Sequence, residues 1–285
     1  MDEIKVIKIG GNVVDNPLLL EQFIHDFSTI DGPKVLVHGG GVMASQMQRQ
    51  LGQQPVMIDG RRVTGTDTLK VVTMVYAGWC SKSIVALLQK HGCNAVGLCG
   101  SDADLIRATR RPPVSKTSPE DGSAVTIDYG YVGDVDPGMI NAGFLHSLIN
   151  ADITPVICAI THDGKGNLLN TNADTIASAI AVSLAKDQQP AGQDGSDGPG
   201  CEVSLIYCFE KNGVLYDKDD DSSVIPEITP GYYRLLKHEG RVAAGMIPKL
   251  DNAFSALENG VRQVVIKHSG NLCNGTGTVL TIRES

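Results

Sequence analysis

The sequence predicts an α/β fold in which a central, mainly parallel sheet lies between two layers of helices. Segments rich in Ile and Val alternate with segments of helical periodicity along almost the whole chain. This alternation is typical of a parallel sheet with helices on both faces. The chain has 285 residues, of which 42% are hydrophobic. It can therefore build one large core or two lobes that share a sheet, and we expect two lobes.

The first part of the chain carries clear element boundaries. Asn16-Pro17 is typical of a helix start, and Gly92 is typical of a helix end. The predicted elements, in order, are the strand Ile4 to Ile9, the helix from Pro17, the strand Lys34 to His38, a helix to about Leu51, the helix Asp67 to Lys90 and the strand Ala95 to Cys99.

The pattern changes between Arg107 and Val135. There, two short apolar segments flank Asp128-Tyr129-Gly130, which predicts an antiparallel hairpin of Ala124 to Ile127 with Tyr131 to Val135. The remaining elements of the first lobe are a helix after Pro137, the strand Thr154 to Cys158 and the alanine-rich helix Ala173 to Lys186.

Composition predicts where the first lobe ends. Gln188 to Gly200 is rich in Gly, Pro, Asp and Gln and has too little apolar content to fold on its own. We therefore predict a first lobe of residues 1–187, a flexible loop of residues 188–202 and a second lobe of residues 203–285. The second lobe is expected to contain Val203 to Cys208, Gly213 to Leu215, a helix around Gly245 to Glu258, Gln263 to Lys267 and Thr278 to Ile282.

Charge and composition argue against several classes of function. The formal net charge of −8 disfavours a general nucleic-acid or anionic-membrane surface. The apolar run Val72 to Leu88 contains Lys82, so we expect no membrane span. Met1-Asp2-Glu3 leads straight into a strand, which predicts a cytoplasmic protein. The seven cysteines include no CxxC pair, and we expect them to be reduced.

Two glycine-rich loops follow the first two strands. Lys8 precedes Gly10 and Gly11 at the end of the first strand, and Gly39-Gly40-Gly41 opens a helix after the second. Open parallel sheets bind ligands at the carboxyl ends of their strands, where glycines let backbone N–H groups approach an anion. Two such loops predict two anionic groups in one site.

Other phosphate and dinucleotide motifs fit less well. Gly39, Gly41 and Ala44 match GxGxxA, which keeps a dehydrogenase as the weakest alternative, although no acidic residue for a ribose is evident. The sequence contains neither GxxxxGK[ST] nor the protein-kinase motifs. Its histidines show no metal-ligand spacing.

Charged residues near helix starts complete the candidate site. Asp174 falls in the first turn of a helix after Asn172, where it compensates the helix dipole or holds two lysine ammonium groups. Lys249 also lies at a predicted helix start, where a cation opposes the dipole, and it is the candidate second lysine beside Lys8. Arg62, one of a pair of arginines, is a candidate bidentate clamp for a carboxylate, and the other of the pair can simply face water.

Six motifs in this order resemble those of the N-acetylglutamate kinases of the amino-acid kinase family, and the similarity covers nearly the whole chain. They are KIGGN at 8–12, VHGGG at 37–41, GRRVT at 60–64, GYVGDV at 130–135, NTNADTIA at 170–177 and GMIPK at 245–249. The resemblance implies the carbamate kinase-like αβα sandwich of that family. It also implies transfer of phosphate from ATP, with Mg²⁺, to the side-chain carboxylate of N-acetyl-L-glutamate in arginine biosynthesis.

The resemblance also implies a role for each matching residue. Lys8 and Lys249 would stabilise the transferring phosphoryl group, and Asp174 would orient both lysines. The acylglutamate, in the first lobe, would contact Gly40, Gly41, Arg62 and Asn170. ATP, in the second lobe, would contact Gly10, Gly11, Glu210, Gly213, Val214 and Leu215.

The chain departs from the family pattern in two places. Phe209-Glu210 stands where the family has a small hydroxyl residue and Asp, and residues 188–200 form a longer connection than the family needs. Family members that arginine inhibits carry a helix before the first strand. Since the sequence starts at that strand, we expect a homodimer insensitive to arginine.

The sequence also leaves several alternative functions open. Another kinase of the same fold, acting on aspartate, glutamate, carbamate or uridylate, is disfavoured by the NTNAD and GYVGDV motifs. The same chemistry on N-succinyl-L-glutamate stays open, because sequence does not map the wall of the acyl pocket. A non-catalytic sensor of an amino-acid derivative is the alternative from another class, and it does not need Lys8, Asp174 and Lys249 together.

Overall fold

The computed structural model describes residues 3–117, 124–187, 202–217, 219–242 and 246–282. Sixteen strands and nine α-helices are present in these ranges. The strands are β1 (Ile4–Ile9), β2 (Lys34–His38), β3 (Met57–Ile58), β4 (Arg61–Arg62), β5 (Ala95–Leu98), β6 (Thr109–Arg110), β7 (Val114–Thr117), β8 (Ala124–Ile127), β9 (Gly133–Asp134), β10 (Thr154–Cys158), β11 (Ile160–His162), β12 (Leu168–Asn170), β13 (Val203–Phe209), β14 (Glu227–Ile228), β15 (Gln263–His268) and β16 (Thr278–Leu280). The helices are α1 (Gly11–Asp15), α2 (Pro17–Ser28), α3 (Gly41–Gln50), α4 (Thr66–Thr73), α5 (Ser81–Lys90), α6 (Ala142–Asn150), α7 (Ala173–Lys186), α8 (Pro230–His238) and α9 (Ile247–Glu258).

The central sheet has eight strands in the order β14-β16-β15-β13-β1-β2-β10-β5. From β15 to β5 all neighbours are parallel, whereas β16 is antiparallel to β15 and β14 follows the direction of β16. The predicted, mainly parallel α/β fold is therefore confirmed. Because β1 pairs with β2 on one side and with β13 on the other, one sheet crosses the expected lobe boundary.

Helices cover both faces of this sheet. On one face α2 packs against α5, and α5 packs against β5 and β10. On the other face α7 packs against β1, β13, α6 and α9. The buried Ile, Val and Leu side chains of β1, β2, β10 and β13 form the core between these layers. Their near-continuous burial is typical of parallel strands covered on both sides.

Residues 66–90 form one continuous helical stretch of α4, a π-helical segment Met74–Cys80 and α5. The predicted helix Asp67 to Lys90 is confirmed, although its π-helical centre was not foreseen. By length and hydropathy this stretch is long enough to cross a membrane, although Lys82 interrupts its apolar run as the sequence indicated. It is weak support for a membrane span, because 44% of the apolar window is buried inside the protein and a core helix meets the same criteria.

The predicted hairpin of residues 124–135 is wrong in its pairing. β8 pairs with β7, and β9 pairs with β6. The residues between β8 and β9 do not form an exposed turn, because Tyr129 is buried and its carbonyl accepts a hydrogen bond from the Thr64 N–H at 2.9 Å.

The helix expected after Pro137 starts later than predicted. A 3₁₀ turn, Pro137–Met139, comes first, and Asn141 then caps α6. The predicted loop of residues 188–202 lies outside the described residues, except for Glu202.

Candidate active site

A cleft of about 500 Å³ opens at the carboxyl ends of the central strands. Three strand ends contribute to its wall, since the segment after β1, the glycine run after β2 and the last residue of β13 all line it. This is the edge at which parallel sheets bind ligands. Ten of the residues predicted from the sequence line this one cleft, namely Lys8, Gly10, Gly11, Gly40, Gly41, Arg62, Asn170, Asp174, Glu210 and Lys249.

Asp174 contacts two lysines that come from distant parts of the chain. Its Oδ1 lies 2.7 Å from Lys8 Nζ, and its Oδ2 accepts a hydrogen bond of 2.8 Å from Lys249 Nζ. The Lys8 contact is an ion pair. The side chains of Lys8, Asp174 and Lys249 are 10%, 13% and 27% exposed. One carboxylate therefore fixes two cations at the edge of the cleft.

Helix α7 determines where this carboxylate lies. The Asn172 side chain caps the helix by accepting hydrogen bonds from the N–H groups of Asp174 and Thr175. Asp174 thus occupies the first turn, where the helix dipole favours a negative charge. Since α7 packs beneath β1 and β13, its first turn lies directly below the strand that carries Lys8.

Burial and neighbouring charges have opposite effects on the pKa of Asp174. Burial raises the pKa of Asp174, but Lys8 and Lys249 outweigh that effect and bring its pKa to about 2. Burial lowers the pKa of Lys249, Asp174 raises it and Lys8 lowers it, with a net lowering. The Asp174 carboxyl is consequently ionised at neutral pH, which keeps it available to position the ammonium groups.

The Phe209 ring lies beneath both lysines, a contact that sequence reasoning missed. Its centroid is 3.9 Å from Lys249 Nζ and 5.1 Å from Lys8 Nζ, within the range of a cation–π interaction. The ring also stacks on Tyr207, two residues earlier on the same face of β13. The only sequence signal was the departure of Phe209 from the family pattern, which did not indicate what the ring contacts.

Gly40 permits the close approach of the second glycine loop to the π-helical segment. Its φ is +151°, and a Cβ there would lie 2.9 Å from Cys80 Sγ and from Tyr76 Cδ1. Only glycine fits this position without strain. The loop then enters α3 at Gly41, which presents the positive end of that helix to the cleft.

The predicted carboxylate clamp, Arg62, is fixed to α3. Its guanidinium donates to Gln48 Oε1 at 2.5 Å and to the Gly41 carbonyl and Ser45 Oγ at 2.8 Å each. Asn170 is buried beside it in the cleft wall and donates to Thr64 Oγ1 at 3.0 Å. Ser45 also lines the cleft, and sequence reasoning did not identify it. Its position one helical turn after Gly41 was the available signal.

Four of the six predicted nucleotide-binding residues line a cavity, and two do not. Gly10, Gly11 and the exposed Glu210 line the main cleft, and Gly213 lines an adjoining cavity of about 200 Å³ together with Lys249. Val214 and Leu215 line neither cavity. The Val214 side chain is buried, and its N–H donates to Thr278 Oγ1 at 2.8 Å.

The cleft contains no metal-binding cluster among the described residues. No group of three or more His, Cys, Asp or Glu side chains in the described ranges is placed to hold a metal ion. His38, at the end of β2, is buried, and burial lowers its pKa to about 4, so it is neutral at pH 7. The arrangement provides fixed positive charge and backbone N–H groups for an anion.

Comparisons with known proteins agree with this geometry. A sequence profile of the Amino acid kinase family matches residues 3–188. The acetylglutamate kinase of Phocaeicola vulgatus is 47% identical over 279 residues, which is 98% of each chain. That of Parabacteroides distasonis is 45% identical over 98% of this chain and 99% of the relative.

Solved structures share the fold over the full length. A Streptococcus mutans protein, smu.665, has a TM-score of 0.70 and 28% identity, covering 99% of this chain and all of the other. A Giardia carbamate kinase has a TM-score of 0.65 and 15% identity over 99% of both chains, which supports the carbamate kinase-like fold predicted from the sequence.

Proposed function

Since the chain belongs to the amino acid kinase family, we propose that it transfers the γ-phosphoryl group of ATP to the side-chain carboxylate of N-acetyl-L-glutamate. This is the reaction of an acetylglutamate kinase in arginine biosynthesis. Relatives with that name match 98% of the chain at 45–47% identity. The structural observation that carries the proposal is the Asp174 carboxylate, which holds Lys8 and Lys249 together at the edge of the cleft.

The cluster suits phosphoryl transfer to a carboxylate. A carboxylate is already a nucleophile, so the reaction needs alignment of the two substrates and neutralisation of charge more than it needs a general base. Two ammonium groups fixed by one carboxylate provide positive charge where negative charge develops on the phosphoryl oxygens. Because Asp174 keeps them in place before the substrates arrive, little reorganisation is required during the reaction.

The cleft wall suggests how the two substrates are arranged. We infer that Gly10 and Gly11 donate backbone N–H groups to the transferring phosphate. The acylglutamate is assigned to the glycine loop of β2, with Gly40, Gly41, Arg62 and Asn170 as its contacts. The nucleotide is assigned to Glu210 and Gly213 on the other side, while the buried Val214 and the partly buried Leu215 support that wall.

We propose that Mg²⁺ enters the site bound to ATP. The described residues offer no cluster of metal ligands, so the phosphate oxygens and water are the donors that would hold it. Bound there, Mg²⁺ would neutralise charge on the β- and γ-phosphates.

The finer organisation of the protein is also inferred. We assign acylglutamate binding to a lobe of residues 1–187 and nucleotide binding to a lobe of residues 203–285, joined by the shared sheet. A cytoplasmic homodimer that binds neither nucleic acid nor membranes fits a small-molecule kinase of net charge −8. Met74 and Trp79, on the π-helical segment, are 58% and 66% exposed, which supports a surface for a second copy.

A substrate panel tests the proposed function. Acyl phosphate formed from ATP at fixed Mg²⁺ is trapped as a hydroxamate, with N-acetylglutamate, glutamate and aspartate assayed side by side. We expect ATP-dependent hydroxamate with N-acetylglutamate alone. Turnover of aspartate or glutamate instead would reassign the acceptor. Inactivity with every acceptor, together with calorimetric binding of N-acetylglutamate, would favour the non-catalytic sensor.

A further inference from the structure

Arg61 is a charged side chain in the cleft wall without a partner. It lies on β4 beside Arg62, and both arginines line the cleft although neighbouring strand residues point to opposite faces. The Arg61 side chain is partly buried. Within the described ranges, no hydrogen bond, ion pair or aromatic contact engages its guanidinium.

The other cations of the cleft are all engaged. Lys8 and Lys249 contact Asp174, and three donor contacts fix Arg62 to α3. Arg61 therefore differs from them in having all of its donors available to a ligand. A guanidinium presents five N–H donors in a planar fork that matches the two oxygens of a carboxylate.

The surroundings of Arg61 do not neutralise it. The carboxylate that acts on the Arg61 charge is that of Asp134, which forms an ion pair of 2.6 Å with Arg111. Burial and the charge of Arg111 lower the pKa of Arg61, and Asp134 only partly offsets them. An arginine remains protonated despite such a shift. A partly buried cation without a counter-ion is unfavourable unless an anion binds to it.

We propose that Arg61 binds a substrate carboxylate other than the one that accepts phosphate. This inference rests on the proposed function. An N-acylglutamate can carry two carboxylates besides the one that accepts phosphate. One is the α-carboxylate that every N-acylglutamate carries, and the other is the terminal carboxylate of a dicarboxylic acyl group such as succinyl. Both have the planar geometry that the Arg61 fork recognises, and the experiment separates them.

The test compares Arg61→Gln, Arg61→Lys and wild type in steady-state kinetics with N-acetylglutamate and N-succinylglutamate at saturating ATP. Arg49→Gln is the matched control, because Arg49 is an exposed arginine of α3 outside the cleft. For Arg61→Gln we expect KM to rise about 10- to 100-fold for at least one substrate, as for loss of a charged hydrogen-bonded pair. The kcat and the KM for ATP should stay within about threefold of wild type. Arg61→Lys should recover part of the loss, since it keeps the charge without the fork.

The substrate that responds identifies the carboxylate. A rise in KM that includes N-acetylglutamate assigns Arg61 to the α-carboxylate, and a rise confined to N-succinylglutamate assigns it to the acyl group. An unchanged KM for both substrates in Arg61→Gln overturns the proposal. If wild type turns over neither compound, the proposed function fails separately. Calorimetric binding of the same two compounds to wild type and Arg61→Gln then decides the inference, and equal affinities would overturn it.

Discussion

At the scale of single residues, one carboxylate determines the position of two cations. Asp174, on α7, contacts Lys8 of β1 and Lys249 of α9 and so connects the three elements. Removing it would leave two ammonium groups close together in a partly buried site. Breaking such a buried pair is strongly unfavourable, because the remaining charges have no counter-ion.

The low pKa of Asp174 makes its contribution to stability dependent on pH. The folded pKa is about 2, compared with an ordinary value of 3.8. The contribution is therefore complete above about pH 4 and is lost as the pH falls through 2, which corresponds to about 2 kcal/mol. We expect the difference in free energy of unfolding between wild type and Asp174→Asn to shrink by that amount from about pH 4 to about pH 2 in urea titrations.

An exposed carboxylate provides the control for this titration. Asp67 is 75% exposed and forms only a surface ion pair with Lys70. The difference between wild type and Asp67→Asn should vary little over the same pH range. If the Asp174→Asn difference is equally constant, the lysines do not depress the pKa of Asp174.

Phe209 is predicted to position the lysines through its ring. Phe209→Leu keeps an apolar side chain but removes the cation–π contacts, each of which is worth about 0.5–2 kcal/mol. We expect kcat to fall about 3- to 10-fold, with little change in KM for N-acetylglutamate. Phe209→Tyr keeps the ring and should retain most of the activity. Steady-state kinetics that show Leu equal to wild type, or Tyr as impaired as Leu, would contradict this role.

Particular residues show how far sequence reasoning reaches within the site. Lys8, Gly10 and Gly41 were predictable, because strand ends followed by glycines leave a local signature. The contact of Asp174 with Lys249 was foreseen as a possibility from helix starts and motif order. The ring contacts of Phe209 and the unpaired guanidinium of Arg61 were not predictable, since they depend on how β13 and β4 approach the cleft in three dimensions.

At the scale of secondary-structure elements, the cap of α7 links local stability to the site. Asn172 and Asn16 are matched caps, because the side chain of each accepts hydrogen bonds from two backbone N–H groups. Replacing either by Ala should cost about 1 kcal/mol of stability. Only Asn172→Ala should also lower kcat, because only α7 carries Asp174. Thermal unfolding and kinetics of the two variants test this, and equal activity of both would contradict the link.

The prediction of elements was correct where the sequence pattern was local. It was wrong where tertiary contacts determined the structure. The bounds of β1, β2, β10 and α7 agree with the sequence prediction, because continuous apolar runs and an alanine-rich segment are local signals. The hairpin at residues 124–135 failed, because Tyr129 is buried against Thr64 in preference to an exposed turn. The π-helical segment has no sequence signature that distinguishes it from the α-helix around it.

At the scale of the whole molecule, a protein of net charge −8 has a cleft lined by four cations, Lys8, Arg61, Arg62 and Lys249. The global field does not attract an anionic substrate, so recognition depends on short-range contacts inside the cleft. The shared sheet joins the strand that carries Lys8 to the strand that carries Phe209.

The proposed homodimer can be tested with an intrinsic fluorophore, because Trp79 is the only tryptophan of the chain. Burial of its exposed side chain against a second copy should shift its fluorescence to shorter wavelength as the protein concentration rises. Met74→Glu should place a charge in that surface and yield monomers in sedimentation equilibrium. Leu18→Glu, on α2, changes an apolar side chain that is 83% exposed and serves as the control. Wild-type monomers, or unperturbed Met74→Glu dimers, would contradict this surface.

The proposed role of the Lys8–Asp174–Lys249 cluster is catalysis of phosphoryl transfer to N-acetylglutamate, and the hydroxamate assay of Lys8→Ala tests this role most directly. Lys5→Ala is the control, because Lys5 lies on the same strand but donates to the Asp31 carbonyl away from the cleft. We predict that wild type and Lys5→Ala form acyl phosphate at similar rates. Lys8→Ala should be slower by about 10²–10³-fold while remaining folded by circular dichroism. Wild-type turnover in Lys8→Ala would contradict a catalytic role of this cluster.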